Sequence, residues 1–177
     1  MNIAPPLVDP VSYRLPSEEL LRGFDKPGPR YTSYPTADRY ADDVGPADML
    51  RALNRRARGS DDPLSVYVHI PFCESVCYYC ACNKVVTRHR ERAAPYLDAL
   101  EAELALVVEA LGAGRPVVQL HFGGGSPTFL SDAELARVTT ALRGAFRIAD
   151  DAEVSIEVDP RTVTAQRLAL LAELGFN

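Results

Sequence analysis

The chain has 177 residues, a length typical of one domain, and its 47% hydrophobic and 24% charged residues exclude an intrinsically disordered protein. The net charge is -5 and no basic stripe runs through the sequence, so we expect no nucleic-acid partner. The apolar stretches are shorter than the roughly 20 residues that span a bilayer, and the start of the chain lacks a signal-peptide pattern. We therefore expect a cytoplasmic protein with no membrane partner.

Residues 1–62 differ in composition from the rest and predict an N-terminal arm. The segment 17–24 predicts a short helix capped by Ser17, and 46–58 predicts a second helix. Between them, prolines in and beside 28–37 (GPRYTSYPTA) exclude a regular helix and predict an extended arm. Whether this arm wraps the surface or contacts a substrate stays open. Its polar and aromatic side chains include Arg30, Tyr31 and Tyr34.

From residue 63 onward, the pattern predicts alternating strands and helices. Apolar runs and alternation predict strands at 64–70, 116–122 and 153–158. Amphipathic and capped segments predict helices at 93–111, 132–146 and 165–174. A strand–helix order repeated three times indicates parallel β/α units, so we assign residues 63–177 to the first part of an α/β structure.

Each predicted strand has an apolar face opposite a partly polar one. The residues expected on the apolar face of the second strand are Val118, Leu120 and Phe122. A sheet covered by helices on both faces tolerates polar groups poorly, so the polar face favours a barrel whose lumen holds a ligand. Three strands do not close a barrel, and we expect a truncated chain, the amino-terminal piece of something longer.

All the cysteines lie on one loop after the first strand, with the spacing C-x3-C-x2-C-x-C. They are Cys73, Cys77, Cys80 and Cys82. Thiolates are soft ligands for zinc and for iron–sulfur clusters. Structural zinc usually takes ligand pairs from two segments, whereas three thiols on one loop suit three corners of a [4Fe–4S] cluster. A zinc-binding module without catalysis is the alternative.

Four segments carry a resemblance to a known family. They are YVHIPFCESVCYYCACNK at 67–84, GPRYTSYPTA at 28–37, HFGGGSPTFL at 121–130 and IEVDP at 156–160. The cysteine loop resembles that of the radical S-adenosylmethionine superfamily, and the four segments together resemble the oxygen-independent coproporphyrinogen III oxidases (dehydrogenases). The resemblance implies a partial parallel (β/α) barrel of the radical SAM type, with about three β/α units after a mostly irregular or helical N-terminal arm.

The resemblance also implies a set of site residues. The implied cluster ligands are Cys73, Cys77 and Cys80, while Cys82 matches an extra cysteine that is not a ligand. The residues implied to contact S-adenosylmethionine are Tyr67, Tyr79, Gly124, Gly125, Ser126 and Glu157. Taken alone, Tyr67 could be a lumen-filling aromatic, the glycines an ordinary turn, and Glu157 a structural acid paired with an arginine. Arg30 and Tyr31 are candidates for contacting tetrapyrrole carboxylates or a second cofactor.

The function that the resemblance implies is the oxidative decarboxylation of coproporphyrinogen III to protoporphyrinogen IX in haem biosynthesis. The [4Fe–4S] cluster and S-adenosylmethionine carry the radical chemistry, and the protein positions them and excludes water. An electron donor for the cluster is a further implied partner, and the full-length protein is expected to be a monomer. We expect the 177-residue chain to be inactive alone. Another haem-related radical SAM protein is the enzymatic alternative.

Overall fold

The structure is a computed structural model in which residues 16–25, 36–59 and 62–177 are described. The chain divides into two compact units, Met1–Asp43 and Val44–Asn177. The predicted boundary between an arm and a partial barrel near residue 62 stays a prediction.

The described part of the first unit contains one short helix and one 3-10 turn. Helix α1 (Glu18–Phe24) begins where the sequence predicts, because the Ser17 hydroxyl accepts a hydrogen bond of 3.2 Å from the Leu20 N–H. The 3-10 turn spans Ala37–Arg39. Most of the predicted arm at 28–37 lies outside the described residues, and with it Arg30, Tyr31 and Tyr34.

The second unit contains a parallel sheet with helices between its strands. In chain order its elements are α2 (Pro46–Gly59), β1 (Leu64–Ile70), β2 (Phe72–Cys73), β3 (Val85–Val86), α3 (Ala93–Leu111), β4 (Pro116–Gly124), α4 (Asp132–Ala145), β5 (Arg147–Ile156) and α5 (Ala165–Glu173). The main sheet has the order β1-β4-β5, and both of its strand pairs are parallel. This confirms the predicted β/α units.

One face of the main sheet carries the apolar core. The predicted apolar stripe of α3 and the capped helix α4 pack on this face; a capping box between Ser131 and Glu134 opens α4, as expected. Burial of their apolar side chains stabilises the fold by roughly 25 cal/mol for each Å² removed from water. The most deeply buried members are Ile70, Leu97, Val117, Leu120, Phe122 and Leu135.

The opposite face of the sheet carries a row of polar side chains that bond across the strands. The Ser65 hydroxyl donates to Gln119 Oε1 at 3.1 Å, and Gln119 Nε2 donates to Glu153 at 3.3 Å. Two residues further along the same pair of strands, His121 Nδ1 lies 2.8 Å from the Ser155 hydroxyl oxygen. This confirms the polar face that the alternation predicts.

The predicted faces of β4 are wrong at its start. Val117 is fully buried and Val118 is 41% exposed, the reverse of the expectation. The cause is a bulge: Leu64 pairs with Val117, but the next residue, Ser65, pairs with Gln119. One extra residue in a strand reverses the side-chain alternation, so only the residues after the bulge follow the predicted pattern.

The predicted third strand, 153–158, is also corrected. Strand β5 begins at Arg147, where it pairs with Pro116, and the register then shifts so that Glu153 pairs with Gln119. Asp150 and Asp151 interrupt the apolar pattern in the irregular stretch between the two paired parts, so the sequence did not reveal this early segment. The strand ends at Ile156, so Glu157 and Val158 lie beyond it.

Candidate functional site

A small second sheet, which the sequence did not predict, closes the base of the cysteine loop. Strand β2 pairs in parallel with β3, so residues 74–84 form a loop that returns to its starting point. The Val85 N–H donates to the Pro71 carbonyl and the Thr87 N–H donates to the Cys73 carbonyl, both at 2.8 Å. The first cysteine of the motif is therefore fixed to regular backbone.

The thiols of the loop differ in exposure and acidity. Cys73 is buried, Cys77 and Cys80 are half-buried, and Cys82 is exposed; none forms a disulfide. A backbone hydrogen bond from Cys82, assisted by the Lys84 ammonium, holds the pKa of the Cys80 thiol below its ordinary value, whereas the bond with Cys80 raises the pKa of Cys82. Because the thiolate is the metal-binding form, these shifts favour Cys80 over Cys82 as a ligand.

A glycine turn at the end of β4 lies against this loop. The Gly125 N–H donates to the Ile70 carbonyl and the Ser126 N–H donates to the Phe72 carbonyl, both at 2.8 Å. A Cβ at Gly125 would lie 2.7 Å from the carbonyl oxygens of Pro71 and Phe72. The turn can approach the strand this closely because Gly125 has no side chain.

Ser126 brings a hydroxyl to the first cysteine. Its Oγ lies 3.8 Å from Cys73 Sγ, within the range of a hydrogen bond to sulfur. Such a bond stabilises a thiolate and is one of the contacts by which a protein adjusts a sulfur ligand.

Glu157 lies one residue after β5 and is held from two sides. Its N–H donates to the Phe122 carbonyl at 2.9 Å, which extends the pairing with β4 beyond the strand end. Its Oε2 accepts a hydrogen bond of 3.1 Å from the Gly124 N–H, and its Oε1 lies 3.7 Å from His121 Nε2. The side chain remains half-exposed, so it can also accept hydrogen bonds from a bound hydroxyl.

Tyr67 lies beside this carboxylate on the polar face of β1. Its ring stacks on His121 with centroids 5.7 Å apart, and its hydroxyl approaches Gly123. Burial raises the pKa of Tyr67, and the charges of Glu157 and Cys82 raise it further. The phenol is therefore a hydrogen-bond donor at neutral pH, next to the carboxylate.

One cavity of about 660 Å³ brings the predicted site residues together. Among those that line it are Cys73, Cys77, Cys80, Cys82, Tyr79, Gly124, Gly125, Ser126 and Glu157. Among the predicted site residues that the structure describes, Tyr67 alone does not line it; Tyr67 lies close enough to Glu157 to sense its charge. The cavity lies at the carboxyl ends of the parallel strands, where ligands bind in β/α structures.

The lining of this cavity also contains an ion pair that the sequence did not predict. The Arg161 guanidinium donates to Asp159 at 2.7 Å and to the Ser75 hydroxyl at 3.2 Å, which ties the segment after β5 to the cysteine loop. The bonds from Arg161 lower the pKa of Asp159 to about 2. Asp159 is the fourth residue of the IEVDP segment, and the arginine two residues later was the available signal.

A second cavity of about 440 Å³ lies between β1 and the helices. Apolar side chains from the described residues of α2, α3 and α4 line much of it, and it contains no cysteine. The cysteines, the glycine turn and Glu157 line the first cavity, whereas Tyr67 and His69 line this second one. Within the described residues, no helix combines the length and the apolar character needed to cross a bilayer.

Comparison with known proteins identifies the family. A family model described as the Radical SAM superfamily matches residues 67–177, more than half of the chain and all of the elements around the cavity. The chain belongs to the radical SAM superfamily. The cofactors of this superfamily are a [4Fe–4S] cluster and S-adenosylmethionine.

Individual relatives point to one branch of the radical SAM superfamily. Oxygen-independent coproporphyrinogen III oxidase of Pseudomonas aeruginosa is 50% identical over 161 residues, which are 90% of this chain and 35% of that protein. A protein of the same name from Mannheimia haemolytica is 48% identical over 141 residues, which are 80% of this chain and 94% of that protein. The resemblance to the oxygen-independent coproporphyrinogen III oxidases is thereby confirmed.

A solved structure supports the same assignment. Coproporphyrinogen III oxidase from Escherichia coli, a radical SAM enzyme, superposes with a TM-score of 0.77 at 45% identity, covering 90% of this chain and 35% of that one. This confirms the predicted fold class, an α/β structure of the radical SAM type. The chain spans about a third of the length of the Pseudomonas and Escherichia relatives.

The residues around the cavity fit the radical SAM cofactors. In the described part of the chain, no three His, Cys, Asp or Glu side chains converge on a point where one metal ion could be held. A cubane cluster takes each thiolate on a different iron, so its ligands need to surround a cavity rather than converge on a point. The cavity also has the volume of a small-molecule site, about 300–1,000 Å³.

Proposed function

We propose that Cys73, Cys77 and Cys80 bind a [4Fe–4S] cluster and that S-adenosylmethionine binds beside it in the same cavity. The observation that carries this proposal is the meeting of three elements around one space: a loop of thiols, a glycine turn, and an acid after β5. Cys82 is not a ligand in this proposal, because it is the most exposed thiol and its pKa is raised.

The other cavity residues receive roles from their contacts. Gly124, Gly125 and Ser126 present backbone close to the cluster loop and bind the amino-acid part of S-adenosylmethionine. Glu157, already held by the Gly124 N–H at 3.1 Å, accepts hydrogen bonds from the ribose hydroxyls. Tyr79, largely exposed on the loop, packs on the adenine. Tyr67 donates a hydrogen bond near the cluster.

We further propose that the whole protein decarboxylates coproporphyrinogen III oxidatively to protoporphyrinogen IX. When bound, the cofactor pair supplies the one-electron chemistry that removes a hydrogen atom from a substrate propionate. The relatives' names support this reaction. Because the chain spans about a third of the longer relatives, we expect no turnover by these 177 residues alone. Detectable protoporphyrinogen IX from this chain would contradict that expectation.

The setting of the reaction is part of the proposal. An exposed iron–sulfur cluster with an open iron is sensitive to oxygen, so we expect the protein to work in a reducing cytoplasm. A one-electron donor must reduce the cluster, and we expect the full-length protein to act as a monomer.

The test of the cofactor site is anaerobic reconstitution of the chain with iron and sulfide. We expect iron and acid-labile sulfide to bind together, and the EPR signal of the reduced protein to change when S-adenosylmethionine is added. Cys73→Ala should abolish the cluster, whereas Cys82→Ala, the matched control on the same loop, should retain it. Bound zinc without iron, or loss of the cluster in both variants, would overturn the assignment.

A further inference from the structure

A basic segment follows the cysteine loop directly. Residues 84–92 (KVVTRHRER) contain four basic side chains and one acidic one, in a chain whose net charge is -5. The overall charge balance concealed this local excess. Like charges that lie close together repel one another, and ion pairs or a bound acidic partner offset that repulsion.

Two of the four basic side chains have structural roles. Lys84 Nζ donates to the Cys82 carbonyl at 3.3 Å. The Arg90 guanidinium pairs with Glu74 and lies 4.4 Å from the centroid of the Phe129 ring. These side chains secure the loop and explain half of the excess.

The other two, Arg88 and Arg92, are not used in this way. Both are exposed, and neither has an acidic partner within 4 Å among residues 16–25, 36–59 and 62–177. Here we call Arg88 and Arg92 the basic face. Glu91, the acidic residue between them in sequence, lies 2.8 Å from His89 Nδ1. Solvated arginines that form no ion pair within 4 Å are available to an acidic surface on another molecule.

The basic face is attached to the proposed cluster ligand by a short path. Thr87 is buried, and its N–H donates to the Cys73 carbonyl at 2.8 Å. Arg88 is the next residue in the chain. A protein docked at Arg88 would therefore contact the chain one residue from backbone that is hydrogen-bonded to the first cysteine of the proposed cluster site.

The basic face lies outside the cavity proposed for the cluster and S-adenosylmethionine. The cavity is lined by residues from the ranges 73–82, 124–126 and 157–161, and none of residues 84–92 contributes to it. Binding at the basic face would leave the cavity free. A partner that delivers electrons to the cluster while S-adenosylmethionine is bound needs this arrangement.

We propose that the basic face, Arg88 and Arg92, docks an acidic protein that carries single electrons to the cluster. This inference rests on the proposed cluster at Cys73, Cys77 and Cys80. In the transfer the carrier loses one electron and the cluster gains one, and no bond forms or breaks. Opposite charges steer the encounter and set its orientation, so the association falls as salt screens them.

Binding of a probe carrier to the cluster-free chain tests the basic face by itself. The probe is a plant-type ferredoxin, a small acidic [2Fe–2S] protein, and binding is measured by titration calorimetry at low and at high salt. We expect Arg88→Glu/Arg92→Glu to weaken binding by about tenfold or more at low salt, and Arg88→Lys/Arg92→Lys to retain it. The control Arg55→Glu/Arg147→Glu makes the same charge change at exposed residues in α2 and at the start of β5. Equal loss in both pairs, or no binding by the wild-type chain, overturns the inference.

Reduction of the reconstituted chain separates this inference from the proposed function. Dithionite, a small reductant, should reduce the cluster equally in the wild type and in every variant. Reduced ferredoxin should reduce the wild type and the control pair, and should be about tenfold slower with Arg88→Glu/Arg92→Glu. No cluster signal with dithionite contradicts the proposed function, whereas equal rates with ferredoxin contradict the docking role alone.

Discussion

Glu157 and Gly124 are joined by a hydrogen bond of 3.1 Å from the Gly124 N–H to Glu157 Oε2. The bond connects the end of β4 to the residue after β5 and holds the carboxylate at the cavity. Gly124 has a φ of +111°, and a Cβ there would lie 2.6 Å from the His69 ring. The donor that orients Glu157 therefore depends on a glycine at this position.

The charge of this carboxylate acts on Tyr67, which gives the first prediction. Glu157→Gln removes the charge and nearly preserves the shape, so the pKa of Tyr67, raised by burial and by Glu157, should move down toward about 10. Burial should still keep it above that value. The measurement is an NMR titration of ¹³Cζ-labelled tyrosines, with Tyr67→Phe to assign the signal.

The control for this titration is Glu153→Gln, which removes a charge from the same face of β5. Glu153 bonds to Gln119 rather than approaching Tyr67. Glu153→Gln should therefore leave the titration midpoint of Tyr67 nearly unchanged. An equal shift in both variants would show that Tyr67 responds to net charge and not to Glu157.

Gly125 offers a test of the close approach between the glycine turn and the cysteine loop. Gly125→Ala would force a Cβ to within 2.7 Å of two backbone carbonyl oxygens, neither of which can move as a flexible side chain would. We expect destabilisation by about 2 kcal/mol or more and a loss of iron on reconstitution. Urea unfolding and iron analysis measure the two effects.

Gly144→Ala is the matched control for that substitution. Gly144 lies in the last turn of α4 and has no atom within 4 Å of an added Cβ. Alanine is the better helix former by about 1 kcal/mol, so this variant should be as stable as the wild type or slightly more so. If both variants lose similar stability, steric crowding at the turn is not the reason.

The Arg161–Asp159 pair predicts a dependence of stability on pH. The pKa of Asp159 in the folded chain, about 2, lies below the ordinary value of about 3.9. The pair therefore stabilises the fold above about pH 4, and this contribution is lost as the pH falls toward 2. Arg161→Gln should move the Asp159 midpoint up toward 3.9, as read by ¹³C NMR of the carboxyl group. A midpoint that stays near 2 would mean that the backbone N–H of residue 161, which bonds to Asp159 at 3.0 Å, lowers it rather than the Arg161 guanidinium.

Arg147 provides the control for the titration of Asp159. It is exposed at the opposite end of β5 and has no ion pair among the described residues. Arg147→Gln should change neither the Asp159 midpoint nor the slope of stability against pH between about 2 and 4.

Much of the site could be predicted because local signals carry it. The cysteine spacing, the glycine turn and the acid near the end of the third strand were each visible, and parallel strands bring their carboxyl ends to one edge. The Arg161–Ser75 contact was not predictable in this way, because it joins residues 86 positions apart through a loop without regular structure. The pairing of β2 with β3 involves only two residues in each strand, too few to leave a pattern.

The strand errors have a common physical origin in register. Alternation assigns faces correctly only where each residue of one strand pairs with one residue of the next. In β1 the alternate residues Val68 and Ile70 are both buried. The bulge at Val118 and the irregular stretch at 149–152 depend on how β4 meets its neighbours. A single strand's sequence does not contain that information.

The bulge in β4 gives the last prediction, since it reverses the ranking of two adjacent valines. Val117→Ala removes two methyl groups from a fully buried site and should cost about 2 kcal/mol, whereas Val118→Ala, at a site 41% exposed, should cost well under 1 kcal/mol. Urea unfolding with equal m-values for the two variants measures the difference. Without the bulge, Val118 would share the buried face with Leu120 and the order would be the opposite. A larger loss from Val118→Ala would therefore favour the regular register and place Val117 on the polar face of the sheet.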